Sequence, residues 1–134
     1  MIDSFTILGV LTGQAAAWAA QRITPHELAA LRELAAEVAA RSGDDSIAEA
    51  NWRFHQEIHC AAHSPRLLAQ LRQAARVVPT NFLTLFPDNE KHSLDEHDEL
   101  RQAIADHDSE RARSIAERHV LEAGRSLAAW LDQS

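Results

Sequence analysis

Three features of the sequence predict an all-α fold. Ala, Leu, Glu, Arg and Gln dominate, residues of high helix propensity, and there are only four Gly and four Pro. Tyr is absent, Val-Ile-Thr runs are few, and no Asn-Gly hairpin signal occurs. Apolar residues recur instead at spacings of three and four. At 134 residues the chain is expected to form one domain, residues 1–134, large enough to bury a core without staples.

The expected elements follow in order. A first helix runs from about Asp3 to Arg22, Ala-rich and apolar on most sides. Thr24 then reads as an N-cap, with Pro25 at the first helical position and Glu27 closing a capping box. The second helix carries Leu28, Leu31, Leu34 and Val38 on one face, and Gly43 ends it. A third runs from about Ser46 to Ala62. Ser64-Pro65 opens a fourth that reaches toward Phe86, with a kink expected at Pro79. Pro87-Asp88-Asn89 is a loop. Ser93 with Glu96 suggests a capping box for a fifth helix ending near His107, and Asp108 caps a sixth that runs to about Asp132. Short connections between six helices imply an antiparallel bundle.

Charge narrows the function. The formal net charge is −7, from 20 acidic and 13 basic residues, and the sole lysine is Lys91. Without a basic block the chain is not expected to bind nucleic acid by itself. Cys60 is the single cysteine, so no internal disulfide can form, which fits a reducing compartment. Phe5 to Leu11, the best apolar stretch near the N-terminus, is too short to span a membrane. A cytoplasmic location is expected.

Four polar residues fall on apolar helix faces. Asn51 and His55 lie within the stripe of Ile47, Phe54, Ile58 and Ala62, four residues apart and therefore one turn apart on one face. His97 falls in the stripe of Leu94, Leu100 and Ile104. His119 falls in that of Ala112, Ile115, Ala123, Ser126 and Trp130. Burying an unpaired amide or imidazole costs roughly 1–3 kcal/mol. Three helices that each turn such groups inward therefore point to one shared polar or metal site. Nitrogen donors with one oxygen suit Zn²⁺ first, with Ni²⁺, Fe²⁺, Co²⁺ and Mn²⁺ as further candidates.

A neutral amide leaves the ion's charge intact, which favours an anionic ligand such as a small organic acid. Arg72 and Arg76 are the candidates to grip the acid's carboxylate, with Arg53 a weaker third. His55, His59 and His63 form a competing stripe. However, each step of four drifts roughly 40° around a helix, so His63 is assigned to capping the helix end, where the dipole favours positive charge. His59 is likewise not assigned as a ligand. His26, His92 and His107 read as solvent-facing, and Cys60 as a small buried thiol. There is no Gly-rich phosphate loop, G-x-S-x-G elbow or His-Glu-x-x-His pair.

The run Asn51-Trp52-Arg53-Phe54-His55, followed by Glu96-His97-Asp98-Glu99-Leu100, Ala103-Ile104, Asp108 and finally His119, resembles the FCD domain. This is the C-terminal effector-binding domain of GntR-type transcription regulators of the FadR subfamily. The resemblance extends from about Phe5 to Leu127. It implies an antiparallel bundle of six to seven helices around a central cavity, with a metal held by Asn51, His55, His97 and His119 and a carboxylate effector above it. Many members carry Asp at the position of Asn51, and Arg and Glu at the positions of Leu8 and Thr12. The resemblance also implies a homodimer, with DNA reached only through a preceding winged-helix domain that these 134 residues do not contain.

The reading is therefore an effector-sensing domain and not an enzyme. A small metal-dependent hydrolase or oxygenase, and a helical interaction module with structural histidines, are the alternatives.

Overall fold

The computed structural model describes residues 2–79 and 90–132. Among these the secondary structure is helical, with no strand: α1 (Ile2–Arg22), α2 (Pro25–Ala40), α3 (Ile47–Ala61), α4 (Pro65–Ala74) followed by a 3₁₀ turn at Ala75–Val77, α5 (Glu90–Ala105) and α6 (Ser109–Asp132). The all-α bundle expected from composition and periodicity is what forms.

Local chemistry sets most boundaries. Thr24 is extended, its hydroxyl accepts from the Glu27 N–H at 3.1 Å, and the Glu27 carboxylate accepts from the Thr24 N–H at 3.0 Å. Two otherwise orphaned donors at the start of α2 are thus satisfied. Glu27 also pairs with His63 at 2.9 Å. His63 is left-handed, with φ 53°, and its N–H returns to the Cys60 carbonyl. It closes α3 through its backbone, while its ring ties that end to the start of α2. Asp108 accepts from the Arg111 N–H at 3.1 Å and starts α6.

Two boundaries differ from expectation. The α-helix opened by Pro65 stops at Ala74 and tightens into the 3₁₀ turn instead of continuing through Pro79. The cause is steric: a residue preceding proline is pushed out of the helical region, and Val78 is extended at φ −90°, ψ 124°. Phe86 and the Pro87-Asp88-Asn89 loop fall outside the described residues. At the other boundary, α5 begins at Glu90, so Ser93 and Glu96 lie inside the helix, both buried. Residues spaced by three share a helix face wherever they stand, so the capping-box pattern was here a pair of inward-facing polar side chains. Glu90 instead accepts from the Gly43 N–H at 3.0 Å and from the Ser42 hydroxyl, joining α5 to the turn after α2.

The most extensive helix pairing is α1 against α6, made possible by small residues. Ala15, Ala16, Ala17, Ala19 and Ala20 are fully or almost fully buried. Gly13 lies so close to α6 that a Cβ would meet the Arg113 carbonyl oxygen at 3.2 Å. α3 packs on α1 and α2, and α5 on α2 and α6. The main core joins Leu31 and Val38 of α2, Phe54 and Ile58 of α3, and Leu100 and Ile104 of α5. Each such side chain contributes roughly 1.5–3 kcal/mol by leaving water. A second cluster holds Leu8 and Ala15 against Leu67 and Leu71. On α6 the buried stripe passes from Ile115 to Gly124 and Leu127, and Trp130 is 44% exposed instead of inward. No helix among the described residues is long and apolar enough to cross a membrane.

Candidate metal centre

Three helices bring three imidazoles together over Phe54. His55 comes from α3, His97 from α5 and His119 from α6, and one nitrogen of each lies within 4.8 Å of the other two. The Nε2 atoms of His55 and His97 are 3.2 Å apart. The ring centroids are separated by 5.0 Å for His55–His97, and by 5.4 Å from His119 to each of the others. Phe54, fully buried, sits 4.6 Å from the His97 ring and forms an apolar floor. Asn51 precedes His55 by one turn, and both line a cavity of about 230 Å³ whose wall also includes His119.

Burial keeps two of the three rings, His55 and His97, neutral. Burial, with the neighbouring His119, lowers the His97 pKa to about 3. Burial, then the proximity of His97, His119 and His59, pushes His55 well below its ordinary value. Neutral imidazoles each retain a lone pair, the state a metal requires. Glu96 orients the third ring: its carboxylate accepts from His119 Nδ1 at 2.8 Å and from Arg118 Nε at 3.3 Å. Burial raises the Glu96 pKa. The bond and charge of His119, the charge of His92 and the bond from Arg118 outweigh this and leave it below the ordinary carboxylate value. An ionised carboxylate can only accept, so His119 Nδ1 carries the proton, and in the neutral ring Nε2 is the free donor atom.

The donor set fits a divalent ion. Two imidazole nitrogens about 2.0–2.1 Å from one Zn²⁺ lie roughly 2.8–3.4 Å apart between right-angled and tetrahedral geometry, and the 3.2 Å between His55 and His97 falls in that range. Asn51 Oδ1 and His97 Nδ1 are buried with no hydrogen-bond partner among the described residues. A buried amide oxygen without a donor is costly, and a cation would satisfy Asn51.

A family model for the FCD domain matches residues 3–122. The chain belongs to the FCD family. It is thus a GntR-type effector-binding regulatory domain, as the motif in its sequence implied. Among solved structures it is similar to E. coli McbR/YncC, with a TM-score of 0.79 and 21% identity, over 98% of this chain and 64% of that one. The chain therefore spans less than two thirds of that protein's length, and at this identity the likeness shows the fold alone. No curated protein matches.

The other predicted positions of this FCD domain are distributed differently. Arg72 and Arg76 are exposed and neither lines the cavity. α4 turns Leu67 and Leu71 to the core, which rotates the adjacent Arg72 away. Arg53 pairs with Glu37 of α2 at 2.7 Å. Cys60 is exposed instead of buried, since its neighbour Ala61 takes the core position of α3. His59, which periodicity left aside, lines the cavity, as do Leu8 and Thr12 of α1. His92 is exposed as expected, yet it pairs with Glu122 at 2.7 Å. Glu96 is the residue that sequence reasoning assigned to a different task. Its place on the buried Ser93–Glu96–Leu100 stripe, beside a candidate ligand, was the available signal.

Proposed function

We propose that this FCD domain binds one divalent metal ion, Zn²⁺ first among the candidates, through Asn51, His55, His97 and His119, and senses a small organic acid in the adjoining cavity. The observation that carries this reading is the convergence of three imidazoles from three helices, two of which, His55 and His119, stand in the cavity wall together with Asn51, whose Oδ1 has no partner among the described residues. A bound ion would supply a positive charge and open coordination positions to an incoming carboxylate. The protein's own part is to hold the ligand nitrogens: Glu96 fixes the His119 tautomer, and Phe54 keeps the floor dry.

The acid would bridge helices α1, α3 and α6, all of which line the cavity. Ligand-dependent packing of those helices would then be transmitted to a winged-helix domain and its DNA, within a homodimer in the cytoplasm. In thermodynamic terms this is a coupling between two sites. Arg72 and Arg76 lie on the exposed side of the fourth helix and its following turn, so the cavity's attraction for an anion rests on the ion.

The deciding experiment is metal content per chain, by inductively coupled plasma mass spectrometry on protein purified without chelator. Near one equivalent, lost in His119→Ala, supports the centre. A metal-free reading is favoured by the 3.2 Å His55–His97 approach, which also suits a direct hydrogen bond between the rings. It predicts no uptake of Zn²⁺ or Ni²⁺ on reconstitution and no effect of chelators on stability.

A further inference from the structure

We infer that the ligand of this cavity is a monocarboxylate with an apolar tail, not a dicarboxylate. The inference rests on the metal-centred reading above and names the chemical class that site would take.

The cavity wall is chemically uneven. Beside the candidate ligands Asn51, His55 and His119 its surface is mainly apolar, formed by Phe5, Leu8, Trp52, Val78, Pro79 and Val120. Among the described residues no Lys or Arg lines it. Residues 80–89 contain no Lys, Arg or His by composition. His59 is the remaining basic side chain in the wall, and burial lowers its pKa to about 4, so it is uncharged near neutral pH. Among the described residues the other polar side chains in the wall, Thr12, Gln56 and Ser93, are uncharged.

A single carboxylate can be neutralised at the ion the histidines would hold. A second carboxylate on the same molecule would meet a wall that offers it no cation among the described residues, and an unpaired charge is strongly disfavoured in apolar surroundings. An aliphatic or aromatic tail instead gains about fourfold in affinity for each methylene it buries. A volume of about 230 Å³ holds roughly eight water-sized groups, enough for a short- to medium-chain acid.

The test is calorimetric titration of the Zn²⁺-loaded chain with acetate, hexanoate and adipate at one pH and ionic strength. Hexanoate is expected to bind at least tenfold more tightly than either of the others. Leu8→Arg, which adds a cation to the apolar wall, is expected to narrow or reverse the preference over adipate; if that variant does not fold, the wild-type series alone decides. Adipate binding as well as hexanoate, or acetate binding as well as hexanoate, overturns the inference and leaves the metal-centred acid site standing. Uptake of Zn²⁺ with no binding of any acid overturns both the ligand class and the acid site. Failure to take up Zn²⁺ at all overturns the centre beneath them.

Discussion

The buried Glu96 carboxylate accepts the Nδ1–H of His119 at 2.8 Å, so a residue one position before a candidate ligand on α5 sets the tautomer of another on α6. Carboxylates that hold a ligating histidine from behind typically change metal affinity 10- to 100-fold when lost. Glu96→Gln retains the shape but no longer demands a proton on His119 Nδ1. Its Zn²⁺ affinity, measured by competition with a chromophoric chelator, should fall by about that factor while the helical circular dichroism is unchanged. Wild-type affinity in Glu96→Gln would show that the carboxylate only balances Arg118.

Metal should also stabilise the fold by mass action. An ion at 100 times its Kd adds about 2.7 kcal/mol if it binds only the folded state, which for a chain of this size is a rise of roughly 5–15 °C in Tm. Differential scanning calorimetry of metal-free and Zn²⁺-loaded protein should show that rise, and EDTA should reverse it. In His119→Ala the two traces should coincide. A chelator-insensitive Tm in the wild type argues against a site that the ion shares with folding.

Acid should unfold the metal-free protein earlier than its carboxylates alone require. His97 at about 3 and His59 at about 4 lie below the usual histidine value of about 6.5, and His55 is displaced in the same direction. As pH falls below about 6.5, the unfolded chain takes up protons that the folded chain refuses, so stability decreases progressively down to the folded pKa values. Above about 6.5 these groups bind no protons in either state and the loss is absent. Urea midpoints at pH 7.5, 6.0 and 5.0, with EDTA present throughout, should decline in that order. Replacing His97 with Phe should flatten the slope. A midpoint constant from pH 7.5 to 5.0 would mean these rings take up protons as readily in the folded protein as in the unfolded one.

Gly124 makes room for the cavity wall. A Cβ there would sit 2.6 Å from Cγ and 2.8 Å from Cβ of Phe5, the backbone end of a side chain that is 1% exposed, so α1 and α6 would have to shift apart. Overpacking of this kind typically costs 1–3 kcal/mol. Gly124→Ala should lose about that much in chemical denaturation despite alanine's higher helix propensity. Gly9→Ala is the control, because its nearest contacts are at 3.5 Å and the change should be nearly neutral or stabilising. Equal behaviour of the two variants would show that α1 and α6 can separate at little cost.

Much of this protein was legible in one dimension. Helix class, the Thr24 capping box, the Asp108 start and the inward faces of Asn51, His55, His97 and His119 depend on spacing within a single helix. Backbone geometry repeats every 3.6 residues whatever lies opposite. Other features needed the partners to be known. Ser93 and Glu96 satisfy a capping pattern and an inward-facing pattern equally well, and only the packing of α6 on α5 shows Glu96 meeting His119. Pro79 signalled a kink, yet the chain leaves the α-helix before it, because the restriction falls on the residue preceding proline. Arg72 was a candidate by charge and is outward because Leu71 beside it is needed in the core. The sequence by itself determined which groups are costly to bury. Only the tertiary structure decided which of them are buried together, since that depends on contacts between residues dozens of positions apart, about which local periodicity carries no information.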